Sequence, residues 1–178
     1  MTIFRIYKLV TKIIRPLFYL FFIYRLLKNK EERGKYSERK GLSSNKKPKG
    51  KIVWIHAASI GEALSSLPLI DKLKELSPKI NIIITTGTKT SKEIIVKKKI
   101  NDLTHQYVPW DNEKFCLNFL NFWQPDLAIF LESEIWPNLL NETNKKNIPL
   151  CLVNARITDK TFKKWLKLPK TIKYLLSF

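Results

Sequence analysis

The residues of this chain that could do chemistry gather where apolar runs give way to small and polar residues. Ala57-Ala58-Ser59-Ile60-Gly61-Glu62 closes the apolar stretch Lys51–Ala58. Ser59 and Glu62 have the S-x-x-E spacing of a capping box, which would tie both to a helix N-terminus. The same placement lets Glu62 project into a cleft as a general base, with Gly61 admitting a substrate closely. The two roles pull apart. A helix N-terminus favours the ionised carboxylate, whereas a base working near neutrality gains from a raised pKa. Burial against apolar surface would have to supply that rise.

Three further junctions have similar character. Thr85-Thr86-Gly87-Thr88-Lys89-Thr90-Ser91 puts hydroxyls and a glycine before a helical pattern. Such a turn suits an anion, or simply caps the helix through Thr88 or Thr90. Leu131-Glu132-Ser133-Glu134-Ile135-Trp136-Pro137-Asn138 sets two carboxylates and a Trp behind an apolar run. Pro137 suits a first helical turn and acids there are electrostatically favourable, which accounts for part of the pattern but not for the gathering of acids with Trp136. In Val153-Asn154-Ala155-Arg156-Ile157-Thr158, Arg156 could clamp a carboxylate or phosphate, or pair with one of the acids.

These junctions lie between short β-rich runs and helical patterns. Strands are expected at Lys51–Ala58, Asn81–Thr86, His105–Val108, Leu127–Leu131 and Leu150–Asn154. Helices are expected at Gly61–Leu76, Thr90–Ile100, Glu113–Trp123, Trp136–Lys146, Thr161–Leu166 and Lys170–Ser177. Strands alternating with helices predict a parallel sheet covered on both faces. In such sheets ligands sit beyond the carboxyl ends of the strands, where the candidate residues fall.

The formal net charge of +18 is uneven: residues 1–51 hold 15 Lys/Arg against 3 acids. Ile3–Leu27 is mostly apolar, but its longest uncharged stretch is the nine residues Pro16–Tyr24, short of the ~20 a span needs. Arg5, Lys8, Lys12 and Arg15 share one helical face, opposite Phe4, Ile6, Leu9, Val10, Ile13 and Leu17. That is the pattern of a basic amphipathic helix at a membrane interface, broken at Pro16. A span with snorkelling basic residues stays open, as does a core-packing helix. No small-residue cleavage site follows, which argues against a signal peptide. Lys28–Lys51 reads as a basic surface connector with a short helical piece around Glu31–Lys40. Basic residues bordering an apolar stretch favour an anionic membrane over nucleic acid, and no nucleic-acid module is recognisable. Cys116 and Cys151 lack metal-site spacing and are expected to be buried thiols. His56 and His105 are too few for a metal centre.

Taken in order, HAASIGE at 56–62, TTGT at 85–88, HQYVPWD at 105–111, ESEIWPN at 132–138 and NARIT at 154–158 resemble the N-terminal domain of the 3-deoxy-D-manno-octulosonic acid (Kdo) transferases. Tyr36-Ser37-Glu38-Arg39 and the short apolar N-terminus fit as well. The resemblance covers nearly the whole chain, and five ordered motifs are far more specific than any one. It implies an α/β fold: a single Rossmann-like parallel-sheet domain at 51–178, half of a two-Rossmann-domain inverting glycosyltransferase. A membrane anchor helix at 1–27 and a basic connector at 28–50 precede it. It implies transfer of Kdo from CMP-Kdo to lipid A precursor, in lipopolysaccharide biosynthesis, at the cytoplasmic face of the inner membrane, with no metal and no cofactor beyond the sugar donor. By motif, Glu62 matches the general base and Glu132 a residue assigned to transition-state stabilisation. Ser59, Gly61 and Arg156 would neighbour the acceptor. The chain stops at Phe178, before the CMP-sugar-binding domain of that family, so it is expected to have little or no activity alone, whether as a split product, a fragment of a degraded gene or half of a two-chain enzyme with a separate C-terminal half. The rival reading is a non-catalytic membrane-bound module for lipid A precursor or anionic lipid.

Overall fold

The computed structural model describes residues 2–178. Five strands alternate with helices: β1 Ile52–Ala57, β2 Asn81–Thr86, β3 Leu103–Tyr107, β4 Leu127–Leu131 and β5 Leu150–Val153. All pair in parallel, in the order β3-β2-β1-β4-β5. β1 and β2 are buried along their whole length, which explains why neither alternates apolar with polar residues as a half-exposed strand does.

Helices cover both faces. α4 (Ile60–Leu76) and α5 (Lys89–Lys97) pack over Val53, Ile55, Ile82, Ile84 and Ile129. α6 (Glu113–Trp123) and α7 (Pro137–Lys145) close the other face over Trp54, Ile83, Ala128 and Phe130. Their N-termini are capped as the spacing of hydroxyls and amides predicts. Ser59 accepts from the Glu62 N–H at 3.2 Å, Thr88 from Ser91 at 3.3 Å and Asn112 from Lys114 at 3.1 Å, each satisfying an otherwise orphaned donor. α7 starts at Pro137 without a cap of its own. Asp111, from the loop after β3, accepts its Asn138 and Leu139 N–H groups at 3.1 and 2.8 Å instead.

The expected N-terminal helix is two helices, α1 (Thr2–Ile13) and α2 (Leu17–Leu27), broken at Pro16. No helix among the described residues is long and apolar enough to cross a membrane. α1 is docked by its polar seam: Tyr7 Oη donates to Asp111 Oδ2 at 2.7 Å, Lys8 pairs with Glu113 at 2.6 Å, and the Thr11 carbonyl accepts from Asn112 at 2.8 Å. Of its apolar face Phe4 is buried against Tyr174, while Ile6, Leu9, Val10 and Ile13 of α1, with Leu17, Leu20 and Leu27 of α2, are exposed, the last at 81%.

The stretch 28–50, read as a surface connector, contains α3 (Tyr36–Arg39) and buries Glu31, Glu38 and Arg39. The backbone at and just past the end of β3 has groups that these residues satisfy. The Tyr107 N–H donates to Glu38 at 2.9 Å, and the Trp110 N–H to the Arg39 carbonyl at 3.0 Å. Of the two cysteines expected to be buried, Cys116 is and Cys151 is exposed. Cys151 belongs to β5, which pairs with β4 on one side only. The last helices, α8 (Asp159–Leu166) and α9 (Pro169–Leu175), follow β5, and α8 buries no residue.

Candidate active site

The sheet order reverses between β1 and β4: the chain runs outward through β2 and β3 and returns to the far side of β1. Such a switch point opens a crevice at the carboxyl ends of the two strands. His56 of β1 is level with Phe130 of β4, so HAASIGE and ESEIWPN leave the sheet side by side. Glu62 therefore lies in the first turn of α4 just beyond β1, and Glu132 and Glu134 in the turn leaving β4.

Glu62 is 6% exposed. Its Oε2 accepts from the Ala58 N–H at 2.8 Å while its own N–H is held by Ser59. The capping box is thus real, with the carboxylate folded onto the residue before the cap. Burial pushes Glu62 above the ordinary carboxylate range. The bond to Ser59 and the Ala58 N–H oppose that, and the Glu134 charge adds to it. Capping and a raised pKa coexist because desolvation outweighs the helix terminus.

Glu132 ends β4 with φ +58°, the left-handed region that a non-glycine residue enters at a cost of about 1–3 kcal/mol. Its N–H donates to the Val153 carbonyl at 3.0 Å, which holds the turn. Arg156 reaches it at 3.7 Å, with a side chain 68% exposed, a loose pair left free to meet another anion. Ser59 and Gly61 are exposed beside Glu62, and a Cβ on Gly61 would meet nothing closer than Ser59 Oγ at 3.9 Å. Gly87 is different. A Cβ there would lie 2.6 Å from the Ala58 carbonyl oxygen, which accepts the Gly87 N–H at 3.1 Å. The TTGT turn and the HAASIGE turn are therefore pinned together, and only glycine permits it.

A cleft of about 530 Å³ runs from this corner to the N-terminal helices. Ala58, Gly87, Thr88 and Trp136 wall one end, and Val10, Ile14, Phe18 and Phe21 the other. Among the described residues no three His, Cys, Asp or Glu side chains stand close enough to hold a metal ion.

Residues 31–178 match the profile of the 3-deoxy-D-manno-octulosonic-acid transferase (kdotransferase) N-terminal region. The chain belongs to the Kdo transferase family. Among its relatives, the 3-deoxy-D-manno-octulosonic acid transferase of Rickettsia bellii is 38% identical over 163 residues, covering 92% of this chain and 39% of that protein. The enzyme of the same name from Rickettsia typhi is 47% identical over 125 residues, covering 70% of this chain and 27% of the relative. That of Haemophilus influenzae is 33% identical over 157 residues, covering 88% and 37%. This Kdo transferase family chain thus spans about two fifths of the length of the first relative.

Some residues here went unassigned in the sequence. His56 gives no signal of its own, because its partners Thr85 and Glu134 lie 29 and 78 positions away. Asp111, the last residue of HQYVPWD, gives no local signal of the bonds it makes to the start of α7. Its role as the cap of α7 depends on where the sheet brings the two loops.

Proposed function

We propose that this chain forms the acceptor side of an inverting Kdo transferase, with Glu62 as general base. In this reading Glu62 takes the proton from a hydroxyl of lipid A precursor as that oxygen attacks the anomeric carbon of Kdo. CMP departs from the opposite face of the sugar. The observation that carries the reading is a buried carboxylate pushed above its usual range at the switch point of the sheet. A rise in that direction is what base catalysis near neutral pH asks of a carboxylate.

Glu132, held in a strained backbone just past β4, is assigned to stabilising charge that develops in the transition state. Arg156, Ser59 and Gly61 are assigned to the phosphorylated acceptor. CMP-Kdo would be held by a second domain facing this crevice, as in a two-domain glycosyltransferase. The apolar face of α1 and α2 would lie on the cytoplasmic side of the inner membrane, its basic residues near anionic headgroups, with the apolar cleft opening toward the acyl chains.

The second reading is a non-catalytic module for lipid A precursor or anionic lipid, and the exposed apolar face of α1 and α2 is what favours it. Glu62→Gln separates the two. In the first reading it abolishes transfer when the chain is mixed with the C-terminal portion of a full-length relative, and acceptor binding stays near its original level. In the second there is no transfer to lose in either mixture.

A further inference from the structure

His56 is a fully buried polar side chain that the transfer chemistry leaves unused. It lies in β1 between the rings of Phe130 and Trp136, with centroids 5.3 and 5.8 Å away. Nδ1 is 3.0 Å from Thr85 Oγ1. Nε2 has no well-aligned hydrogen-bond partner among the described residues and sits 3.3 Å from Glu134 Oε2. A fully buried, unpartnered ring nitrogen aimed at a carboxylate is costly unless it carries a proton.

The neighbours decide which nitrogen does. Thr85 Oγ1 accepts the Trp54 indole N–H at 2.9 Å. Its single proton can go to His56 Nδ1 at 3.0 Å or to the Ile55 carbonyl at 3.5 Å. Sending it to Nδ1 puts the imidazole proton on Nε2, facing Glu134. Sending it to Ile55 makes a longer bond and leaves a bare Nε2 lone pair against a carboxylate, which is repulsive. The hydroxyl therefore orders the ring as second-layer donors order functional histidines elsewhere.

We propose that His56 is a positioning residue for Glu62: set by Thr85, it presents Nε2–H to Glu134 and fixes that carboxylate, as an anion, beside the base. The Trp136 indole N–H holds the same Glu134 oxygen. The groups that act on Glu62 are Ser59, the Ala58 N–H, Glu134 and His56; those on Glu134 are His56 and Trp136. Burial alone would push Glu134 up, yet these two donors keep it below the ordinary carboxylate range. A neighbour that stays ionised keeps its repulsion on Glu62 at the pH where Glu62 must accept a proton.

The inference rests on the reading of Glu62 as the base, but its test needs neither sugar donor nor acceptor. The probes are ¹⁵N spectra of the imidazole and ¹³C titration of the Glu62 and Glu134 carboxyls in the full chain. The expected tautomer is Nε2–H, and Thr85→Val should release it. Glu134→Gln should move the Glu62 midpoint down. His56→Phe, which keeps the ring packing and loses the donor, should raise the Glu134 midpoint. His56→Gln, whose amide can reach Glu134, should restore it. A Nδ1–H tautomer with bare Nε2, or a Glu62 midpoint unmoved by Glu134→Gln, overturns the proposal. If His56→Phe does not fold, the tautomer and the Glu134→Gln titration still decide it. A supported relay with no Kdo transfer in a complemented assay would fault the function and not the relay.

Discussion

Arg39→Ala tests how residues 28–50 hold the site together. The Arg39 guanidinium is 1% exposed. It donates to Glu31 from Nε at 3.1 Å and Nη2 at 2.8 Å, to the Val108 carbonyl at 3.0 Å and to the Gly87 carbonyl at 2.8 Å. It thereby grips the ends of β2 and β3 while pairing with a carboxylate that is itself 2% exposed. Removing one partner of a buried pair costs about 3–5 kcal/mol, mostly because the other charge stays desolvated. Here the lower end is expected. Arg25 still donates to Glu31 at 2.6 Å and to the Gly87 carbonyl at 2.8 Å. With a urea slope of about 1–3 kcal/mol/M, a loss of about 3 kcal/mol moves the unfolding midpoint down by about 1–3 M. The double variant Arg39→Met with Glu31→Leu removes both charges and should recover at least half of that loss. Equilibrium urea unfolding followed by Trp fluorescence reads all three proteins. A loss under about 1 kcal/mol for Arg39→Ala, or a double variant worse than the single, would refute the buried grip.

Three other outcomes follow from the packing. Burial pushes His105 down to about 3, with Lys92, Arg39 and Lys35 adding to the effect; the unfolded chain takes up this proton near pH 6.5 and the folded one does not. Stability should therefore fall as pH drops from about 6.5 toward 3, and His105→Gln should flatten the slope by close to one proton in chemical unfolding measured across that range. Tyr7→Phe removes a bond to the buried Asp111 carboxylate and should cost about 1.5–3 kcal/mol, with faster tryptic cutting at Arg5 to Arg15; unchanged cutting would mean that α1 is not docked through Tyr7. Gly87→Ala forces the Ala58 carbonyl away and should cost about 1–3 kcal/mol, read as a lower thermal midpoint.

The sheet was legible because its strands are short apolar runs bounded by turn residues, and β2 and α6 fall on the ranges expected from sequence. The ends of α5 and α9 shifted by a few residues, where lysines and leucines continue a helical pattern past the point at which packing stops. Glu62 stood out because a carboxylate three residues after a serine at a strand end has few roles. What could not be read was the pairing across distance. Charged Glu31, Glu38 and Arg39 look like surface residues, since charges are rarely buried without partners, and their partners at Gly87, Tyr107 and Val108 come from other strands. The docking of α1 hid for the same reason. Its basic and apolar faces predict a helix at a membrane surface, yet Phe4, Tyr7, Lys8 and Thr11 dock it on the domain. The exposure of Cys151 depends on β5 pairing on one side only, which no local pattern encodes.

The measurement that bears most directly on the proposed function is Kdo transfer from CMP-Kdo to lipid A precursor in detergent, with this chain mixed with the C-terminal portion of a full-length relative. A general base contributes about 10²–10⁴-fold. The account predicts turnover in the mixture that falls by at least about 10²-fold with Glu62→Gln, while the variant keeps its fold and acceptor binding. Equal turnover by the variant and the unsubstituted chain would contradict it.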